Sequence, residues 1–408
     1  MKRGATGHYV ATVAGGVRCQ AFVPHPLPPA PPITLSGDLE KVFAEAYRAL
    51  GGLDVISSLL PDPGMVLYSY VRKEAVMSSQ IEGTQSSLDD LLIYEAEGVP
   101  GAPLDDVEEV SAYVRALNTG IQRIREEGWP IARRVVLELH EILMTAGRGG
   151  QRRPGKFRNG PVWLGHDQAD KALHVAPPAN EVAQCWSDLE HFINATGRDM
   201  DPLIRAALAH VQFETIHPFF DGNGRVGRML IPLMLVQDGV LGNPLLFLSV
   251  YFKEHRQTYY ELLQSTRTEG DWEEWLAFFL RAVATTANEA VDTAVAIRKL
   301  QAEHLARLPT LGRGADSAAR VLEALVARPV ASAPELIKRT GLTRPPVYRA
   351  LRDLEEKIGV VQEITGRKRG QIFAYRPLLE LLHGSSPPIA LPSETLAEDS
   401  APGPDQST

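Results

Sequence analysis

The sequence predicts a mainly α-helical protein with one β-hairpin set among its helices and a separate winged helix-turn-helix domain towards its C-terminal end. Three observations carry this. Apolar residues recur three and four positions apart in Leu39 to Leu50, Val107 to Ile124 and Val135 to Leu143, the period of helices with one buried face. Between Gly155 and Pro178 that period breaks, where Val162-Trp163-Leu164 and Leu173-His174-Val175 flank a polar turn with Gly165 and Asp167, a hairpin pattern. From 315 to 378 the charge balance reverses: 12 Lys and Arg stand against 7 Asp and Glu, a local +5 in a chain of net formal charge −8, which marks a distinct basic domain.

With 408 residues, 44% hydrophobic and 23% charged, the chain can bury more than one core. Its net charge excludes a protein that coats nucleic acid along its whole length. Two cysteines, Cys19 and Cys185, are too few and too far apart for a disulfide framework or a zinc site. The most apolar run, Met229 to Val236, stops at Gln237-Asp238, far short of a membrane span, and no basic-then-apolar leader opens the chain. A cytoplasmic location without membrane contact is expected.

Residues 1–35 are expected to form an arm, because Val23 to Ile33 is dominated by proline, which removes backbone donors and favours extended structure; a partner-binding segment is the alternative. Residues 36–130 read as an N-terminal helical region with a helix over 65–83, 131–308 as the central helical core, 315–378 as the winged helix, and 384–408, rich in Ser, Pro, Gly and acids, as a disordered tail.

The densest chemistry lies in His217-Pro218-Phe219-Phe220-Asp221-Gly222-Asn223-Gly224-Arg225-Val226-Gly227-Arg228, between two helical segments. Pro218 biases His217 away from helical dihedrals, so its imidazole should sit at a helix end. Gly222, Asn223 and Gly224 can turn their N–H groups onto an anion at the start of the next helix, and Arg225 and Arg228 share a face that can grip further phosphate oxygens. Asp221 offers a hard oxygen suited to magnesium, and a neutral His217 can take a proton from a hydroxyl. Phe219 and Phe220 read as core anchors. Any one of these features alone is usually structural; their joint spacing is not. An EF-hand fails for want of alternating acids, and Gly150 to Phe157 lacks the Ser or Thr of a P-loop.

This run resembles the Fic family signature HPFxDGNGRxxR at every defined position, and the resemblance extends through Pro154-Gly155-Lys156-Phe157-Arg158 and the hairpin to Tyr251-Phe252, Tyr259-Tyr260 and Gly270-Asp271-Trp272. It implies a Fic-type helical catalytic core with a hairpin flap. It also implies a protein adenylyltransferase with His217 as general base, Asp221 holding Mg2+, and Gly222, Asn223, Gly224, Arg225 and Arg228 holding the phosphates of ATP. AMP would pass to a Ser, Thr or Tyr hydroxyl of a protein target, this chain included. Tyr259 and Tyr260 resemble a tyrosine pair beside the adenine; a buried structural pair is the equal alternative.

Upstream, Arg72 to Gly83 reads as a helix ending at Gly83, which leaves Glu82 at the negative end of the helix dipole. An exposed, solvated carboxylate is one reading. Ser78, Glu82 and Gly83 resemble the inhibitory motif [S/T]xxxE[G/N] of the same family, which implies that Glu82 pairs with Arg228 and keeps ATP from sitting productively. By the same resemblance, the hairpin edge Val162, Trp163 and Leu164 would dock a target peptide as an added strand; a plain hairpin is the alternative.

In the basic domain, Ser332 and Glu335 form a capping box for a helix to Arg339, Gly341 makes the turn, and Thr343 caps a second helix through Lys357. Two wing strands, Val360 to Ile364 and Gln371 to Tyr375, follow. Arg344, Tyr348, Arg349 and Arg352 can meet DNA from the second helix, and Arg367, Lys368 and Arg369 can reach phosphates from the wing tip. A protein-binding or dimer-packing winged helix, and hence a homodimer, is the alternative. The competing function is a nucleotide-sensing DNA-binding regulator, and a third is another phosphate-containing transfer on the same fold; Gly224 stands where Doc-like kinases carry Lys.

Overall fold

The computed structural model describes residues 2–59, 63–97, 104–145, 153–195 and 200–383; the expected tail, 384–408, lies outside the described residues. The chain opens with a hairpin, β1 (Gly7–Ala14) and β2 (Val17–Pro24), in antiparallel register from Gly7↔Pro24 to Ala14↔Val17. Its two-residue turn, Gly15-Gly16, has positive φ at both positions (57° and 80°), the turn whose twist matches paired strands. The reading of 1–35 as an arm overlooked this hairpin. Its signal was present, as Gly-Gly between two alternating runs; the proline-dominated residues 25–36 lack regular structure.

Helices α1 (Asp38–Leu59), α2 (Pro63–Ile81), α3 (Leu88–Glu97) and α4 (Leu104–Ile121) follow. α4 shows how sequence spacing becomes packing: Val107, Val110, Val114, Leu117 and Ile121 recur at three and four and are all buried. After α5 (Arg133–Met144) comes the short antiparallel pair β3 (Trp163–Leu164) and β4 (His174–Val175), two residues each, with a 3₁₀ turn over Ala169–Lys171. α6 (Val182–Asn194), α7 (Pro202–Ile216) and α8 (Asn223–Gln237) bring the chain to its centre. α7 begins where Asp201 accepts bonds from Leu203 N and Ile204 N, with Pro202 at the first position, a strong helix start. Nearly every residue of α7 and α8 is buried, so both ends of the segment between them are fixed by packing.

α9 (Ser249–Glu254), α10 (Arg256–Glu269) and the 36-residue α11 (Trp272–Arg307) complete the core. α11 runs along α1 and, at 1.5 Å per residue, is about 54 Å long, which carries it into the C-terminal domain. That domain comprises α12 (Ala315–Ala327), β5 (Val330–Ser332), α13 (Ala333–Thr340), α14 (Arg344–Asp353), β6 (Val361–Glu363), β7 (Ile372–Tyr375) and α15 (Arg376–His383).

It is a winged helix whose sheet has three strands, ordered β5-β7-β6, because short β5 adds to the two wing strands. Ser332 caps α13 by accepting from Glu335 N, and Gly341 turns in the left-handed region. Thr343 stands at the start of α14 without a side-chain capping bond, and α14 gives way after Asp353 to a π-helical turn, Leu354–Ile358. The domain leans on the N-terminal helices: the Tyr68 ring lies between the guanidinium groups of Arg72 (3.3 Å from its centre) and Arg328 (3.9 Å), and Arg72 and Tyr68 both bond Glu95 at 2.7 Å.

Candidate active site

The site forms where α7 ends and α8 begins. His217 closes α7 in the left-handed region, at φ 47°, a conformation that costs a non-glycine residue energy and persists only when the surroundings fix it. Arg158 supplies that fixing. Its Nε donates to His217 O (2.8 Å), its Nη2 to Pro177 O (2.7 Å) and Ile216 O (3.2 Å), and its backbone N to Pro218 O (2.9 Å). Burial of its guanidinium pushes the pKa down to about 10.

Gly222, also left-handed at φ 76°, opens α8. Asn223 closes the loop with its side chain, accepting from Phe219 N and donating to Phe219 O, both at 2.9 Å, which fixes its backbone N–H at the start of α8. Phe219 is buried and stacks on His140 with ring centres 3.7 Å apart. Phe220 is not a core residue: it is half-buried, with its ring against Gly160 at the base of the hairpin.

His140 is a residue that the sequence reading missed. Its Nδ1 accepts from Gly155 N (3.0 Å), so its Nε2 carries the proton and donates to Asp221 O (3.1 Å). Burial lowers its pKa to about 4, so this neutral bridge holds across the physiological range. The signal was faint: one histidine on the buried face of α5, far from the motif in sequence.

Asp221 is exposed; its Oδ1 accepts from Gly222 N (2.6 Å) and from Arg225 Nη2 (3.4 Å). Arg225 also faces Glu109 at 3.3 Å. Among the described residues no cluster of three or more His, Cys, Asp or Glu could enclose a metal ion. A single half-open carboxylate at a helix N-terminus fits a cation that takes its remaining ligands from phosphates and water, as magnesium does.

The other arginine is occupied. Arg228 Nε donates to Ser78 Oγ (2.9 Å), and its Nη2 to Ser78 O (2.9 Å) and Glu82 Oε1 (2.7 Å). Ser78 and Glu82 lie one turn apart, so the end of α2 presents both to the same guanidinium, and Gly83 then leaves the helix at φ 102°. Gly224 makes the approach possible, since a Cβ there would collide with Glu82 Oε1 and Arg228. Burial works against the Glu82 charge, but Arg228 outweighs it and holds the carboxyl below its usual range. The imidazole of His217 is pushed down to about 4 by burial, with the Arg267 and Arg158 charges adding to it, so it is neutral and able to accept a proton.

The tyrosine pair divides. Tyr259 is buried, its hydroxyl donating to His210 Nε2 (2.9 Å) while His210 Nδ1 bonds Gly227 O (3.1 Å), so it braces α8. Tyr260 is 42% exposed and is the ring of the pair that can meet a ligand. In the hairpin, Ala176 N and Leu173 N bond Val162 O and Leu164 O, both at 3.0 Å. Strand alternation then turns the backbone polar groups of Trp163 away from β4. The ring of Trp163 packs beside Gly15 at the tip of the N-terminal hairpin. Arg344, Arg349, Arg352, Arg367, Lys368 and Arg369 are all exposed, the first three on α14 and the last three at the wing tip, and the Arg344 guanidinium lies 5.2 Å from the half-buried Tyr348 ring. No helix among the described residues is long and apolar enough to cross a membrane.

Comparison with known proteins places these features. Residues 41–122 match the family described as Fic/DOC family N-terminal, 130–235 the Fic/DOC family, and 318–357 the winged helix-turn-helix DNA-binding family. The chain is 31% identical over 158 residues to protein adenylyltransferase Fic of Drosophila grimshawi, covering 38% of this chain and 29% of that protein. It is 28% identical over 247 residues to the protein of the same name from Aedes aegypti, covering 59% and 45%. The chain thus spans less than half of either relative. A crystal structure of a Fic family protein from Desulfovibrio desulfuricans G20 superposes on 85% of this chain and 98% of its own with a TM-score of 0.54 at 22% identity, a likeness of fold. Glu82 lies inside the first match and the whole run from His217 to Arg228 inside the second, so the chain carries a Fic/DOC family N-terminal domain and a Fic/DOC family domain.

Proposed function

We propose that this chain is a protein adenylyltransferase that moves AMP from ATP to a protein hydroxyl, its own included, and that Glu82 restrains it. The observation that carries the reading is the Glu82–Arg228 pair at Gly224: a carboxylate occupies the guanidinium that the N-terminus of α8 presents for an anion. In the active arrangement Arg228 and Arg225 grip phosphates, and the N–H groups of Gly222, Asn223 and Gly224 converge on them. Asp221 would hold Mg2+, which supplies charge neutralisation between the phosphates. His217 takes the proton of a Ser, Thr or Tyr hydroxyl as its oxygen bonds to the α-phosphorus; the bond from that phosphorus to the β-phosphate oxygen breaks, and pyrophosphate leaves. Tyr260 lies at the adenine, and the Trp163 edge pairs with the target backbone. The site works in the cytoplasm.

The test is transfer of label from α-labelled ATP with magnesium to the Glu82→Gly protein and to a cell lysate, read by mass spectrometry. AMP on hydroxyl side chains, absent when His217 is also changed to Ala, supports the reading. No transfer, or transfer that survives His217→Ala, refutes it, and loss of AMP from a modified target would reveal the reverse reaction.

A second reading is favoured by the exposed arginines of α14 and the wing: a regulator that binds DNA and senses nucleotide through its helical core. Binding to a defined duplex that weakens as salt rises, with a salt slope that falls by about 1 in Arg367→Ala, would support it. Salt-insensitive or absent binding would leave the winged helix to a protein partner or a second copy of the chain.

A further inference from the structure

Glu214 stands on the last turn of α7, three residues before His217, with its side chain buried behind the imidazole. Its Oε2 lies 3.9 Å from His217 Nδ1. Neither Nδ1 of His217 nor Oε1 of Glu214 makes a hydrogen bond of good geometry among the described residues; the backbone carbonyl of Glu214 is the other acceptor beside the imidazole. Buried polar atoms are normally paired, and here a possible donor and an acceptor-rich carboxyl face each other across a gap about 1 Å longer than a bond. Catalytic bonds in ligand-free enzymes commonly show such a gap and close it when substrate binds.

The surroundings hold the carboxyl in place. Gly227 on α8 leaves room for it, since a Cβ there would collide with Oε1. Arg267 on α10 clamps the same turn of α7, donating from Nη2 to Glu214 O (3.3 Å) and from Nε to Thr215 Oγ1 (3.0 Å).

We infer that Glu214 is a positioning residue for His217: its carboxylate accepts the Nδ1 proton and fixes the tautomer in which Nε2 is free to act as base. A neutral imidazole can carry its proton on either nitrogen, and the partner of one nitrogen decides which. The inference rests on the reading of His217 as base. Arg228 on α8, Arg267 and Tyr259 on α10 and Glu82 after α2 face Glu214; Arg267, Arg158, His174 on β4 and Glu82 face His217. Burial raises the Glu214 carboxyl to about 7 while His217 is lowered to about 4. Between those values the imidazole is already neutral, and ionisation of Glu214 limits the ordered pair.

The experiment uses the full chain in the Glu82→Gly background. Glu214→Gln should lower kcat for AMP transfer about 100-fold, the lower end of what base catalysis supplies, leave KM for ATP within about twofold, and remove the rise of kcat with pH through the Glu214 titration. Glu214→Asp should restore part of kcat. Because removing Glu82 removes a charge that raises Glu214, that rise should lie at lower pH in Glu82→Gly than in the unaltered chain. Independently of transfer, 15N-histidine NMR should show His217 protonated at Nδ1 in the unaltered chain and shifted towards Nε2 in Glu214→Gln. The same tautomer in both proteins, or an unchanged kcat and pH profile in Glu214→Gln, overturns the inference. A Glu82→Gly protein that transfers no AMP sinks the functional reading instead, and the tautomer measurement still decides the role of Glu214.

Discussion

On the proposed function, changing Glu82 to Gly should raise AMP transfer and at the same time weaken the fold, and the two effects have one physical origin. Arg228 has 2% of its side chain exposed and Glu82 37%. Breaking a fully buried ion pair costs about 3–5 kcal/mol, but Glu82 is partly screened by solvent and Arg228 keeps two bonds to Ser78. A loss of about 1–2 kcal/mol is therefore expected for the ligand-free protein. The stranded guanidinium is also a vacant anion site. Saturating ATP and magnesium should accordingly raise Tm more in Glu82→Gly than in the unaltered chain, because the phosphate now supplies the missing charge. A coupling of about 1–3 kcal/mol between the two arrangements corresponds to a gain of about 5- to 150-fold in AMP transfer. Thermal unfolding with and without nucleotide, run beside the transfer assay, measures both. The reasoning is refuted if Glu82→Gly is as stable as the unaltered protein without ligand and no more active with it. It is equally refuted if activation survives Arg228→Ala, since the freed arginine is what the substitution provides.

The same geometry gives further expectations. His217→Ala should abolish transfer with ATP affinity nearly intact by calorimetry, because the imidazole acts on the hydroxyl and not on the phosphates; an equal loss of both would contradict its role. Asp221→Ala should lose the magnesium dependence of transfer, and full magnesium-dependent activity would remove Asp221 from the metal site. The Glu82 carboxyl is held below its usual value, so its stabilisation is complete above the unfolded-state value and disappears as pH falls through the folded one. The difference in Tm between the unaltered chain and Glu82→Gln should thus shrink on acidification below about pH 4.3, and a difference that grows there would show that the pair has the opposite sign. His140→Leu should weaken magnesium-dependent transfer more than it lowers Tm, since the lost bond positions the Asp221 carbonyl; equal activity would make His140 a packing residue alone.

Much of the fold was legible because local rules and tertiary packing agree. The three-and-four spacing of Val107, Val110, Val114, Leu117 and Ile121 marks a face that only a core can hide, and the Ser332 cap and Gly341 turn fix α13 whatever packs on it. Where the reading stopped short, the deciding term was weak locally. The pair β3 and β4 was read from the turn between its flanking segments, but β5 is three residues, too short for a period to register. The N-terminal hairpin was overlooked because proline dominates the residues after it, although its Gly-Gly turn was visible.

At the site, the run from His217 to Arg228 determined by itself a helix end, a glycine turn and a second helix start, because Pro218, Gly222 and the spacing of the two arginines act through dihedrals and helix faces within twelve residues. Tertiary structure alone decided which charges meet. Glu82 reaches Arg228 across 146 residues, a pair that the family resemblance implied and no local spacing shows, and Arg158 reaches the His217 carbonyl across 59. Tyr259 turned inward to His210 while Tyr260 faced solvent. Such contacts depend on how whole helices pack, which no local pattern encodes: a charge or a ring in sequence states what it can bond, and only the packed neighbours state what it does bond.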